Sequence, residues 1–282
     1  MMHRLSGGGN AINEDRQWLA LADIGGATTV IDYGGVRFVT DPTFDPPRDY
    51  GPYRKTHGPA IAAQQLGSVD AVLLSHDLHM DNFDVAGREF ASAAPIVITG
   101  PHAAQRLGGN AVGLRPFEST DLAASANSDL KVSVFAVPAQ HGPADGDRDD
   151  YGNINTEVTG FVLRSQGLPT VYVSGDNASI APVMEIAARV GDIQIGVLHM
   201  GAARLASKDS GRPLTLTADR GTDVAQLLDL SAVLPVHCEG WSIYSQGPDD
   251  VQKSFEDAGM GHLLYRSRPG TWALQERFPG AT

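Results

Sequence analysis

The stretch "LSHDLHMDNFD", residues 74–84, places His76, Asp77, His79, Asp81, Asn82 and Asp84 directly after the apolar run "DAVLL". Imidazole nitrogen and carboxylate oxygen are the ligand set of zinc, manganese or iron, and an ion held by such groups with open positions suits hydrolysis. Calcium would require more oxygens and no imidazole. The same residue types recur further on, where "FAVPA" runs into Gln140 and His141, "VYVSG" into Asp176 and "AVLPV" into His237. Each has a structural reading of its own. A histidine after a strand can be a loop or core residue, Asp176 can be a turn or cap residue, and Asp81 and Asp84 can be first-turn helix carboxylates. The agreement among them carries the argument, because each falls just past the C-terminal end of an apolar run. In open α/β sheets the loops at that edge converge on a ligand.

The elements that would hold these groups are legible from period and punctuation. "WLALADIGGATTVIDYGGVRFVTDPTF" contains three short runs rich in Val, Ile, Thr and Phe separated by Gly-Gly pairs, the pattern of strands joined by tight turns. "DAVLLS", "APIVITG", "LKVSVFAVPA", "TGFVLRS", "PTVYVSGD", "IQIGVLHMG" and "AVLPVH" are continuous apolar runs of strand length, as expected of strands buried on both faces. Helix-like segments alternate with them: "NFDVAGREFASA", "PHAAQRLGG", "IAPVMEIAARVG", "TADRGTDVAQLLDLS" and "DDVQKSFEDAG". Hairpins first and alternation later predict two sheets covered by helices in a layered α/β fold. Residues 1–16 are polar and glycine-rich and read as a lead-in, and 17–282 show neither linker nor solenoid repeat, so one domain is expected.

Composition narrows the function classes. With 33 acidic against 21 basic side chains the formal charge is −12, which repels a phosphate backbone, and no Lys/Arg cluster offsets it. A small-molecule substrate is expected, without nucleic acid or membrane, and the oligomeric state stays open. Cys238 is the only cysteine, so neither an internal disulfide nor a thiolate-rich metal site can form. The start "MMHRLSGGGNAINEDRQ" has no apolar signal core and no run reaches membrane-spanning length, which makes a cytoplasmic location the expectation. The Gly-Gly pairs at 25–26 and 34–35 lack the Gly-x-Gly-x-x-Gly spacing of a dinucleotide site.

Over nearly its whole length the chain resembles the metallo-β-lactamase-fold hydrolases, in the branch of L-ascorbate-6-phosphate lactonase and N-acylphosphatidylethanolamine phospholipase D. "DIGGATTVIDYGGVRFVTDPTF" is similar to that branch's Gly-His-Ala-Thr strand and following Asp-Pro, with Gly26 in place of the histidine. "LLSHDLHMDN" resembles the His-x-His-x-Asp-His motif, "VPAQHGP" its third-motif histidine, "VYVSGDNA" the bridging aspartate and "LPVHCEGW" the final histidine. The resemblance implies a four-layer αββα sandwich holding one or two ions, zinc first and manganese as the main alternative. His76, His79 and His141 would hold one ion, Asp176 would bridge, and Asp81 and His237 would hold a second. Asn82 stands where the family has a histidine and offers at most an oxygen, or caps the next helix. The motif separates its first two histidines by one residue, whereas His76 and His79 are separated by two. A one-residue bulge at Asp77-Leu78 would let both face the ion; a reading without a gap would put Asp77 or Leu78 at a ligand position.

The implied activity is hydrolysis of a small polar ester, lactone or phosphodiester by a metal-activated water, with Asp81 orienting it or accepting its proton. Two alternatives stand beside it: iron-dependent oxidoreduction or isomerisation on the same fold, and a ligand-binding member without turnover. The glycine-rich run "HGPADGDRDDYGNINTEVTGF" is of the kind that covers an active site or forms a solvated hairpin tip. Tyr151 and Asn153 from it, and Glu239 and Trp241 from "CEGW", are the substrate-contact candidates, with Arg148, Asn155 and Tyr244 unranked beside them. Gly201 in "HMGAARL" marks a close backbone approach, and His199 reads as structural.

Overall fold

The computed structural model describes residues 6–124 and 127–276. The three runs around the Gly-Gly pairs form β2 (Leu19–Gly25), β3 (Thr28–Tyr33) and β4 (Val36–Thr40), an antiparallel meander. Gly34 and Gly35 both adopt positive φ, at 60° and 86°, as the two-residue turns that match strand twist require. The chain then switches to parallel pairing through β7 (Ala71–Leu73), β8 (Val97–Thr99) and β9 (Ala111–Gly113). Two short strands, β1 (Ser6–Gly7) and β16 (Leu274–Glu276), complete an eight-stranded sheet of order β1-β16-β2-β3-β4-β7-β8-β9. Between β4 and β7, β5 (Arg48–Asp49) and β6 (Arg54–Lys55) make a separate small ribbon.

The second sheet has six strands in sequence order: β10 (Ser119–Ala124), β11 (Asn127–Pro138), β12 (Thr159–Arg164), β13 (Val171–Val173), β14 (Ile195–His199) and β15 (Ala232–Val236). Pairing is antiparallel up to β13 and parallel from β13 to β15. The two inner faces share one apolar core, in which Leu21, Ile31, Phe38 and Leu73 meet Val134, Phe161, Val173 and Val197. On the outer face of the six-stranded sheet Tyr172, Leu198 and Val233 pack with Val183 and Ile186 of α3 (Ile180–Val190), Val224 of α4 (Ala218–Leu227) and Phe255 of α5 (Pro248–Asp257). The other outer face is covered partly by α1 (Val85–Ala93), through Ala91 against Val72 and Val97. With α2 (Pro101–Leu107) beside β8 and β9, this is the expected αββα sandwich. All five helical segments marked out by the sequence form helices.

One polar group is buried with its partners. Arg37 donates from Nε and Nη2 to the two oxygens of Asp32, at 2.7 and 2.8 Å, and from Nη1 to the carbonyls of Asn13 and Leu66. That pairing ties the segment before β2 to the sheet. Among the described residues no helix is long and apolar enough to cross a membrane.

Candidate metal centre

The strands end together along one edge of the sandwich. His76 follows β7, His141 follows β11, Asp176 follows β13, His199 closes β14 and His237 follows β15. Two backbone bonds join the sheets there, from Thr159 N–H to the Ser75 carbonyl at 2.9 Å and from His237 N–H to the Gly26 carbonyl at 2.6 Å. Gly201 is the expected close approach, since a Cβ on it would lie 1.9 Å from the His237 carbonyl oxygen.

His76 and His79 both reach the site despite the extra residue between them. The chain bulges outward at Asp77-Leu78, leaving Leu78 half exposed, while Asp77 turns away and takes Arg106 Nε and Nη2 at 2.8 and 2.5 Å. Arg88 holds the Asp77 carbonyl from α1. The motif spacing is therefore absorbed by an ion pair outside the cluster, and neither Asp77 nor Leu78 occupies a ligand position.

His79 Nδ1 lies 2.8 Å from His76 Nε2 and 3.1 Å from His141 Nε2. The far nitrogens fix the tautomers: His141 Nδ1 donates to the Leu214 carbonyl at 2.8 Å, and His76 Nδ1 sits 2.9 Å from Ser75 Oγ, which donates to Asp41 at 2.8 Å. Burial, reinforced by the neighbouring imidazoles, holds His76 well below the usual histidine range and brings His79 to about 4. His76 Nε2 and His141 Nε2 thus present lone pairs on either side of His79 Nδ1. Separations near 3 Å are those of donors about 2 Å from a zinc-sized ion. The donor set fits a divalent metal.

A second group lies beside it. Asp176, His199 and His237 each bring a ligand atom within 4.8 Å of the others. His237 Nε2 is 3.2 Å from Asp81 Oδ2, 3.4 Å from Asp176 Oδ1 and 3.3 Å from Asn82 Oδ1. Asp176 turns one oxygen to each group: Oδ2 is 4.0 Å from His76 Nε2 and 3.8 Å from His141 Nε2, and Oδ1 faces His237 and His199. Burial alone would protonate Asp176, but His237, the His199 hydrogen bond and the other imidazoles hold it well below the carboxylate range. Burial also opposes charge on His237, where Asp176 and Asp81 outweigh it and raise the imidazole.

Asn82 is fully buried between these groups, its amide donating to Asp176 Oδ1 at 3.1 Å and to Asp41 Oδ2 at 3.2 Å. It does not cap α1: Asp84 does, accepting from Gly87 N–H at 2.8 Å and from Phe44 and Asp45 N–H. Gly26, in place of the resembling branch's histidine, has φ 63°, and a Cβ there would meet Trp241 Nε1 at 2.8 Å. The indole fills the space a side chain would need.

The substrate-contact candidates fall elsewhere. Tyr151 is 60% exposed and stacks on His102 at 3.7 Å, and Asn153 is spent on Asp149. Glu239 lines a separate cavity of about 240 Å³ with Lys55, His57 and Pro269, away from the cluster. Trp241 is buried behind Tyr53, whose ring it meets edge-on at 5.9 Å. The pocket that opens on His79, Asp81 and His141 is small, about 50 Å³, and is lined by Tyr53, Asn155, Leu205, Lys208, Leu214 and Ile243 with Ala203. Of these, sequence reading had singled out only Asn155. Asp41, which the sequence marks only through the Asp-Pro after β4, and His199, which reads there as structural, also reach the cluster. A signal existed for both, since each sits at a strand end as the chosen residues do.

A family model described as "Beta-lactamase superfamily domain" matches residues 36–238. A "UPF0173 metal-dependent hydrolase" from Pelotomaculum thermopropionicum is 24% identical over 218 residues, covering 75% of this chain and 85% of the relative. The structure of isothiocyanate hydrolase from Delia radicum gut bacteria aligns with a TM-score of 0.74 at 19% identity, covering 89% of this chain and 96% of that one. A possible metal-dependent hydrolase from Veillonella parvula aligns with the same TM-score at 17% identity, covering 89% and 97%. The sandwich and the matched span agree, and the chain belongs to the β-lactamase superfamily.

Proposed function

We propose that the protein is a metal-dependent hydrolase that cleaves a small polar ester, lactone or phosphodiester, with zinc as its ion and manganese as the main alternative. The observation that carries this reading is Asp176, one oxygen toward the three-histidine group and the other toward His237. His76, His79 and His141 would hold one ion, and Asp81, Asp176 and His237 would contribute to a second. A divalent ion in such a site polarises a substrate oxygen and lowers the pKa of water toward neutrality.

The chain's own residues supply the rest. Asp81 opens on the pocket and lies 3.2 Å from His237, so it can orient a water or take its proton. Tyr53 accepts from Met80 N–H at 3.1 Å and lines the same pocket as Asp81. Leu205, Leu214 and Ile243 exclude water from the pocket wall, and Lys208 is the one cation lining it among the described residues, placed to meet negative charge on substrate or leaving group. A pocket of this size admits a small group rather than a polymer.

The test is hydrolysis of small aryl esters, lactones and phosphodiesters by protein that has been stripped with chelator and reloaded with zinc or manganese. Turnover that vanishes on stripping, returns on loading and is lost in Asp81→Ala supports the reading. Turnover indifferent to chelation overturns it.

A further inference from the structure

Asn82 leaves the second metal group one imidazole short of the resembling family's pattern, and β14 delivers another. His199 is fully buried at the end of that strand, with Nδ1 2.9 Å from Asp176 Oδ1 and its ring nearly parallel to that of His237, 12° apart with centroids at 5.1 Å. Nε2 has no hydrogen-bond partner among the described residues and faces Asp41 Oδ2 at 4.0 Å.

We propose that His199 ligates the second ion through Nδ1, taking the place of the imidazole that Asn82 lacks, and that Asn82 positions Asp176 and Asp41 without being a ligand. The inference rests on the metal-dependent reading of the site.

The tautomers argue for it. If His199 were only a hydrogen-bond donor to Asp176, Nδ1 would carry the proton and Nε2 would remain a buried acceptor with nothing to accept from. If Nδ1 is a ligand, the proton moves to Nε2, on the side where the Asp41 carboxylate lies 4.0 Å away, one small shift short of the outer hydrogen bond that metal-bound histidines ordinarily make. The donor atoms are spaced for a shared ion: Asp81 Oδ2 to His237 Nε2 is 3.2 Å, His237 Nε2 to Asp176 Oδ1 is 3.4 Å, and Asp176 Oδ1 to His199 Nδ1 is 2.9 Å. Ligands about 2.0–2.1 Å from a tetrahedral ion lie roughly 3.3 Å apart. Asn82 instead spends its amide on two carboxylates, Asp176 and Asp41, and so holds them in place.

Zinc stoichiometry decides it. Metal-free protein is reloaded with zinc, freed of excess by gel filtration and measured by elemental analysis for the wild type, His199→Ala and Asn82→Ala. Two ions per chain are expected in the wild type and in Asn82→Ala, and one in His199→Ala. Two ions retained in His199→Ala overturn the assignment, as does a wild type that holds one. A wild type that retains neither zinc nor, in a parallel loading, manganese overturns the metal-dependent reading itself. Should His199→Ala not fold, side-chain nitrogen NMR of zinc-loaded wild type gives the answer directly. A metal-bound Nδ1 and protonated Nε2 on His199 are expected, and a protonated Nδ1 in the loaded protein refutes the proposal.

Discussion

The bulge between His76 and His79 is held from outside the cluster, so it can be loosened without touching a ligand. Asp77 is 3% exposed and accepts two charge-assisted bonds from Arg106, whose side chain is about one-third exposed. In Asp77→Ala the guanidinium can turn to water, so no charge is stranded. The cost is therefore the pair of bonds to a charged group, about 1.5–3 kcal/mol of stability. The Arg88 contact to the backbone carbonyl of residue 77 persists, so the bulge relaxes rather than collapses. His76 and His79 then converge less well, and zinc affinity should fall roughly tenfold, the lower end of the range for residues that support ligands. Urea unfolding of the metal-free protein reads the first quantity and competition with a chelating indicator reads the second. Arg106→Ala should lower zinc affinity in the same way but cost more stability, because it strands the buried Asp77 carboxylate, and the double variant should lie near Asp77→Ala. Unchanged zinc affinity in a measurably destabilised Asp77→Ala would show that the ion pair stabilises the fold without setting the histidine geometry.

Three further outcomes are expected. Gly201→Ala places a methyl 1.9 Å from the His237 carbonyl oxygen, so His237 must shift; zinc retention should drop while circular dichroism stays near that of the wild type. Asn82→Asp removes two donated bonds and sets a third carboxylate beside Asp41 and Asp176, which should destabilise the metal-free protein by about 2 kcal/mol or more; zinc should narrow the gap between the melting curves, and a gap unchanged by zinc would deny Asn82 its place beside the ion. His79 titrates at about 4 in the fold, against an ordinary 6.5, because burial and His141 disfavour its charge. The unfolded chain therefore binds the proton first, so this contribution to stability is fully present above about 6.5 and is lost as pH falls toward 4. Urea midpoints of metal-free wild type should fall across that window, and His79→Gln should flatten the fall.

The strand ends were legible because buried parallel strands are unbroken apolar runs, and a His or Asp that stops such a run is conspicuous. His76, His79, Asp81, His141, Asp176 and His237 were found that way, and the structure gathers all six. The bulge was legible as a count, one residue too many, but its cause was not, since Arg106 lies 29 residues from Asp77 and on another element. His199 was passed over because one histidine at the end of "IGVLH" looks the same whether it packs or ligates; only the distance to Asp176 separates the two. The pocket wall was not legible, for a different reason. Tyr151 and Trp241 were chosen as aromatic residues in loops near ligands, and loop position says nothing about where a side chain turns. Trp241 packs inward against Gly26, whose missing side chain leaves the indole its room, a contact between two turns far apart in sequence. Lys208, Leu205 and Ile243 lie in segments without periodicity or motif, where sequence carries no signal for what they face.

Metal held at these strand ends is tested most directly by elemental analysis of protein purified without chelator, read beside its melting curve before and after stripping. A ligand bound only by the native state stabilises it by mass action. Divalent transition metal in stoichiometric amount is expected, at least one ion per chain held by the three-histidine group, with a melting temperature that falls when it is removed. A protein that emerges without metal, takes up none on loading and melts identically with and without chelator contradicts this expectation.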